Sequence, residues 1–251
     1  MTEMSVYNKL SQSKMTCTNS LILLTHIPKC CGTSFRYSVV KPNIPGSLVY
    51  VPMNGWRSIL KEHKDYQFIT GHFDAGIEKL INPFSPARNR IKFRVVILRE
   101  PLDQMISYVA YHTKLSHPSS SEFITGDDVV RFFTNNWQAR NMQSRMLSGF
   151  FLNRLYTHSH LALFEPIILY RAKYNLTHYY DYIGWLEHID VDLKNICRLI
   201  SFKCVPTHAE ETRTRNRISV DDLTSSQIKQ LRSLNYMDMS ICEYAKSLYA
   251  Y

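Results

Sequence analysis

Apolar residues in the first half of the chain come in short unbroken runs rather than in alternation. Leu21-Ile22-Leu23-Leu24-Thr25-His26 is followed by Pro28 and a turn of small residues, the pattern of a parallel strand buried on both faces. Tyr66 to Thr70, stopped by Gly71, and Phe93 to Leu98 repeat it, and Tyr182-Ile183-Gly184-Trp185 makes a fourth. Helical spacing fills the intervals. Thr33 to Val40 predicts a helix that ends before Lys41-Pro42-Asn43-Ile44-Pro45-Gly46. Pro101 suits a first helical position, and Leu102 to Thr113 carries that helix onward. Further helices are expected over Asp127–Phe133, over Asn136–Leu147 with Gly149 as C-cap, and over Leu161–Tyr179 with a break or late start at Pro166. Val191–Ser201, Thr224–Leu234 and Tyr236–Leu248 complete the series. No repeat or Pro/Gly/Ser-rich linker divides the chain. The expectation is an α/β fold with a parallel sheet and a largely helical second half, in a single domain over 21–251 preceded by a polar leader over 1–20.

Composition narrows the classes. The 251 residues are 45% hydrophobic and 20% charged, too apolar for a disordered chain and ample for a proper core. Six scattered cysteines without a CxxC pair argue against a disulfide framework and against structural zinc. The longest apolar stretch near the start, Leu21 to Leu24, is far short of a membrane span, and the leader has neither a basic nor an apolar region of a secretory signal. A reducing, cytoplasmic, soluble setting is therefore expected. Thirty Lys and Arg against 21 Asp and Glu, a formal charge of +9, point to an anionic partner. The basic residues are dispersed, apart from Arg213, Arg215 and Arg217, and no RNA-binding strand motif appears, so a small polyanion such as a nucleotide is favoured over nucleic acid.

The segment His26-Ile27-Pro28-Lys29-Cys30-Cys31-Gly32-Thr33-Ser34-Phe35 joins a strand to a helix N-terminus through small residues. Such a loop cradles phosphate or sulfate, because unpaired N–H groups and the helix dipole both favour an anion. Gly32 permits close approach, Thr33 and Ser34 supply hydroxyls, and Lys29 supplies a mobile cation. This is not a Walker A loop, in which Lys follows the last Gly; here Lys29 precedes Gly32. The strand Phe93–Leu98 runs into Arg99, where a Mg²⁺ site would want an acidic side chain. Glu100 should face away from it. These residues indicate a nucleotide site without metal.

PKCCGTS and LREPLDQMISY together resemble the phosphosulfate loop and the 3′-phosphate segment of the sulfotransferases that use 3′-phosphoadenosine 5′-phosphosulfate (PAPS), whose commoner wording is PKTGGTS and LRDPxxRxxS. The resemblance implies a P-loop-like parallel sheet flanked by helices, PAPS as sulfuryl donor and adenosine 3′,5′-bisphosphate (PAP) as product. It implies that Lys29, Cys30, Cys31, Gly32, Thr33 and Ser34 hold the 5′-phosphosulfate, and Arg99 with Ser107 the 3′-phosphate. AKYNL, IGWLEHID and the closing EYAKSLY are similar to the uronyl 2-O-sulfotransferase branch, and by that likeness Thr212 and Arg215 fold over the nucleotide. Anchored Golgi members of the branch contrast with this chain, which is expected to be cytoplasmic or a piece of a longer one. Cys31 with Phe35, the Asp of GHFD and the pair Gly126-Asp127 look most like the small trematode sulfotransferases of the schistosome type, which activate the prodrug oxamniquine.

Sulfuryl transfer needs an in-line acceptor oxygen, a base for its proton and positive charge at the leaving bisphosphate. Lys29 supplies the last. Gly71-His72-Phe73-Asp74 follows the second strand, where sites of parallel sheets open. The 2-O branch points to His72 and the trematode likeness to Asp74; we assign Asp74 as base, with His72 orienting it or sharing the proton. The rival roles are a histidine bonded to backbone and an N-cap before Ala75-Gly76-Ile77. Phe35, Asp74 and Asp127 are expected to meet the acceptor, a small molecule or glycan bearing a hydroxyl, with a core Phe and a helix cap as the rivals for Phe35 and Asp127. Two thiols at a helix N-terminus also raise the expectation of a lowered thiol pKa, set against small buried thiols that merely fit. The competing functions are a nucleotide or small-molecule kinase and a non-catalytic nucleotide-binding relative.

Overall fold

The computed structural model describes residues 21–50, 66–80, 90–116, 124–159, 162–205 and 218–248. Its strands are β1 (Leu21–Thr25), β2 (Val49–Tyr50), β3 (Phe68–Gly71), β4 (Ile91–Leu98) and β5 (Tyr182–Trp185). Its longer helical elements are α1 (Gly32–Phe35), α2 (Pro101–Ser116), α3 (Gly126–Asn135), α4 (Met142–Ser148), α5 (Phe150–Ser159), α6 (Glu165–His178), α7 (Ile189–Ile200), α8 (Ser225–Leu234) and α9 (Tyr236–Leu248). All strands are parallel, in the order β2-β3-β1-β4-β5. Four correspond to the predicted runs; β2, a two-residue edge strand, is too short to carry a periodicity signal.

The register places the site. Thr25 at the end of β1 pairs with Gly71 on one side and Val96 on the other. The segments that follow β1, β3 and β4 therefore leave from one edge of the sheet. Both faces are covered, which explains the unbroken runs. Ile22, Leu24, Phe93, Val95 and Ile97 pack against Val39, Val40 and the apolar face of α7. Val96, Leu98, Ile183 and Trp185 pack against α4, α6 and α9.

The predicted Asn136–Leu147 helix is interrupted. A 3-10 turn, Trp137–Ala139, is followed by Asn141 at φ 51°, and only then by α4, which ends at Gly149 (φ 105°). Asparagine tolerates the left-handed region, and here the kink serves a reciprocal pair of caps. Asn141 Oδ1 accepts from Met237 N at 3.0 Å, in the first turn of α9. Asp238 of that turn accepts from Gln143 N (3.0 Å), Ser144 N (2.7 Å) and Ser144 Oγ (2.6 Å) at the start of α4. Gly149 then redirects the chain into α5, a helix the apolar pattern did not announce. Pro166 lies in the first turn of α6, so the late start is what the structure adopts. Among the described residues no helix is long and apolar enough to cross a membrane.

Candidate active site

The turn after β1 is built from backbone conformation first. Lys29 (φ 65°) and Cys31 (φ 66°) are both left-handed although neither is glycine, at a cost of roughly 1–2 kcal/mol each. Such alternation turns successive N–H groups into one concavity, and strain of this kind collects where function over-determines the backbone. α1 opens at Gly32 and continues as a π turn over Arg36–Val40. Gly32 is required by packing: a Cβ there would come within 2.2 Å of Cδ2 and Nε2 of His26.

Two residues beyond β4 tie this turn to the next strand end. Arg99 Nη1 donates to the Lys29 carbonyl at 2.9 Å, and Gln104 Nε2 donates to the Pro28 carbonyl at 3.0 Å. Gln104 stands at the second arginine of the LRDPxxRxxS wording. The Arg99 backbone is bracketed by one side chain, with Gln143 Oε1 accepting its N–H at 3.2 Å and Gln143 Nε2 donating to its carbonyl at 2.8 Å. The Arg99 guanidinium is also paired with Asp103, through Nε at 2.8 Å and through Nη2. Glu100 faces away, as expected, and accepts from Lys246 Nζ at 3.1 Å. Lys29 Nζ lies 4.4 Å from the centre of the Tyr111 ring on α2, and Ser107 is buried on the same helix.

At the exit of β3 the two acid–base candidates find different neighbours. His72 is exposed, and its Nδ1 donates to the His26 carbonyl at 2.7 Å, which places a proton on Nδ1. Its ring lies 4.5 Å from that of His26. Asp74 is buried and accepts from Asn153 Nδ2 of α5 at 2.5 Å. Ala75 N donates to Met146 O at 2.8 Å, which docks this exit loop on α4. Burial pushes the Asp74 carboxyl up to about 6, against the pull of Asn153, Arg154 and Arg145. A carboxyl with that value is poised for base work near neutral pH. It caps no helix. His26, half-buried beneath the turn, is pushed down to about 4 by burial and then by His72 and Lys29.

Other expectations are corrected. Phe35 is fully buried and stacks on Phe68 at 5.8 Å, within the core under α7, which favours the core reading. Thr125, not Asp127, caps α3, in a capping box with Asp128; Asp127 is exposed and accepts from Gln227 Nε2 of α8 at 2.7 Å. Cys30 is turned inward, its N–H donating to Ile27 O at 3.1 Å. Neither thiol is acidified. Burial pushes Cys30 well up, and it pushes Cys31 up despite hydrogen bonds from Ser34 and Phe35 and the nearby Arg99. Thr212 and Arg215, with Arg213 and Arg217, lie outside the described residues. The structure thus gathers Lys29, Gly32, Thr33, Ser34 and Arg99 at one sheet edge, beside His72 and Asp74. It adds His26, Asp103, Gln143 and Asn153, of which only Asp103, four residues after Arg99 and so on its helical face, carried a spacing signal.

Compared with known proteins, residues 13–245 match the profile described as the Sulfotransferase family. The crystal structure of mouse sulfotransferase SULT7A1 complexed with PAP aligns over 92% of this chain and 89% of that chain, at 12% sequence identity and a TM-score of 0.46. Among curated proteins none matches.

Proposed function

Because the chain belongs to the sulfotransferase family, we propose that it moves the sulfuryl group of PAPS to the hydroxyl of a small-molecule or carbohydrate acceptor by metal-independent, in-line transfer. The observation that carries this reading is the bond from Arg99 to the Lys29 carbonyl at 2.9 Å. It ties the turn after β1 to the segment after β4, so that two loops proposed to bind opposite ends of one doubly phosphorylated adenosine lie side by side. Thr33, Ser34 and the N–H groups opening α1 would receive the 5′-phosphosulfate, and Arg99 with Ser107 the 3′-phosphate. Asp103 already neutralises part of Arg99, so Lys29 supplies the charge that stabilises the leaving bisphosphate.

In the transfer, Asp74 takes the acceptor proton as the acceptor oxygen bonds to sulfur and the bond from sulfur to the bridging phosphate oxygen breaks. Its pKa raised by burial and its hydrogen bond to Asn153 support that role, with His72, held by its Nδ1 bond to the His26 carbonyl, orienting it or sharing the proton. The cysteine-bearing loop and GHFD keep hydroxymethyl prodrugs such as oxamniquine among the acceptors to assay. Thermal melting with PAP, ATP and ATP–Mg²⁺ in parallel tests the donor: saturation at 100 times Kd adds about 2.7 kcal/mol. Stabilisation by PAP is expected; stabilisation by ATP–Mg²⁺ alone would replace the reading with a kinase.

A further inference from the structure

His26 lies outside the residues that the donor-loop motif singles out, yet its ring packs against that loop at Gly32. Its Cδ2 and Nε2 lie 2.2 Å from where a Cβ on Gly32 would stand, so the ring covers the glycine directly. It cannot easily leave. Its N–H donates to Gly71 O at 3.0 Å, its carbonyl accepts from His72 Nδ1 at 2.7 Å, and its ring lies 4.5 Å from that of His72. The charges that face it are Lys29 from its own turn and His72 from the β3 exit, and both disfavour a second proton. Beyond these, Arg99 reaches the turn through the Lys29 carbonyl, the Cys30 and Cys31 thiols are pushed up by burial, and Asp74 is bonded to Asn153. The ring is therefore uncharged above pH 5 while nothing occupies the loop.

An anion reverses that balance. Opposite charge within about 4–6 Å of a titratable group favours its charged form by roughly one to three pH units. We infer that His26 is a direct ligand of the donor's phosphosulfate end and takes up a proton as the anion arrives, so that nucleotide binding draws a proton from solution. This rests on the reading of the loop as the donor site. The sign follows from linkage: the bound state holds more protons, so affinity rises as pH falls from the bound-state value of His26 toward its free value of about 4. A two-unit rise, to about 6, makes the gain between pH 7.5 and 5.5 about fourfold.

The test is calorimetric titration of the full chain with PAP at pH 5.5 in two buffers of different ionisation enthalpy, for the parent, His26→Gln and Asp74→Asn. PAP phosphates and Asp74 titrate nearby, so the quantity read is the difference in protons between parent and variant. With a two-unit rise the parent should take up about 0.7 proton more than His26→Gln, and Asp74→Asn should keep that excess. Equal counts in parent and His26→Gln would overturn the inference. Should His26→Gln fold poorly, NMR of ring-labelled histidine in the parent replaces it: the His26 resonances should move to imidazolium values on PAP saturation at pH 5.5, and unmoved resonances would overturn it too. Absence of any PAP binding at any pH would instead remove the donor-site reading itself.

Discussion

Asp74→Asn separates the chemistry of the site from its stability, because both follow from one buried charge. A carboxyl that titrates at about 6 in the folded chain instead of the ordinary 3.8 carries a cost of about 3 kcal/mol wherever it is ionised in both states. The folded value is raised, so the cost is absent below the unfolded value near 4, grows between 4 and 6, and is complete above 6. Asparagine retains an oxygen for Asn153 and carries no charge. The variant should therefore be more stable than the parent by about 2–3 kcal/mol at pH 8, with the gain gone at pH 4. Urea unfolding at the two pH values measures it. Turnover with PAPS should fall by about 10²–10⁴ in the same variant, the usual worth of a general base. A stability difference that is the same at both pH values would refute the assignment of a displaced carboxyl, and unchanged turnover would remove Asp74 as base.

Arg99→Met removes the hold on the Lys29 carbonyl and leaves Asp103 unpaired at the proposed 3′-phosphate site. Two charged hydrogen bonds at about 1.5–3 kcal/mol each predict a loss of PAP affinity of at least 10²-fold by calorimetry, and full affinity would show that Arg99 only shapes the turn. Gly32→Ala drives a methyl into the His26 ring and should lower both melting temperature and donor affinity. Adding His26→Ala should return part of the lost melting temperature; strictly additive losses would place the clash elsewhere. In native protein at pH 7.5, Cys30 and Cys242 should resist thiol reagents until urea is added, and Cys31 should react more slowly than an unfolded thiol. Rapid labelling of Cys31 would contradict its burial-raised pKa.

Much of the fold was written in the apolar runs. β1 and β4 are buried on both faces, so their sequences carry no polar alternation and announce a parallel sheet. Pro101 and the small-residue turn after β1 then locate the anion loop, because each restricts the backbone locally. The failures occur where distant segments decide. Phe35, one turn into a helix, packs on Phe68, more than thirty residues away, a contact that no local pattern shows. The Asn136–Leu147 periodicity is genuine, yet Asn141 breaks it to cap α9. Asp74 met its partner on α5, a helix whose existence depends on the turn at Gly149. His26 passed for the tail of a strand, and only the space it takes from Gly32 exposes its place in the site.

The exchange of caps between α4 and α9 sets when the proposed donor site can first be assembled. Gln143 brackets the Arg99 backbone only while α4 is formed, and the first turn of α4 hangs on the Asp238 carboxylate. Translation lays down the anion loop early and Asp238 some two hundred residues later. A chain still on the ribosome thus exposes the loop without the strut that holds the Arg99 backbone, and the proposed nucleotide site is complete only once α9 has folded.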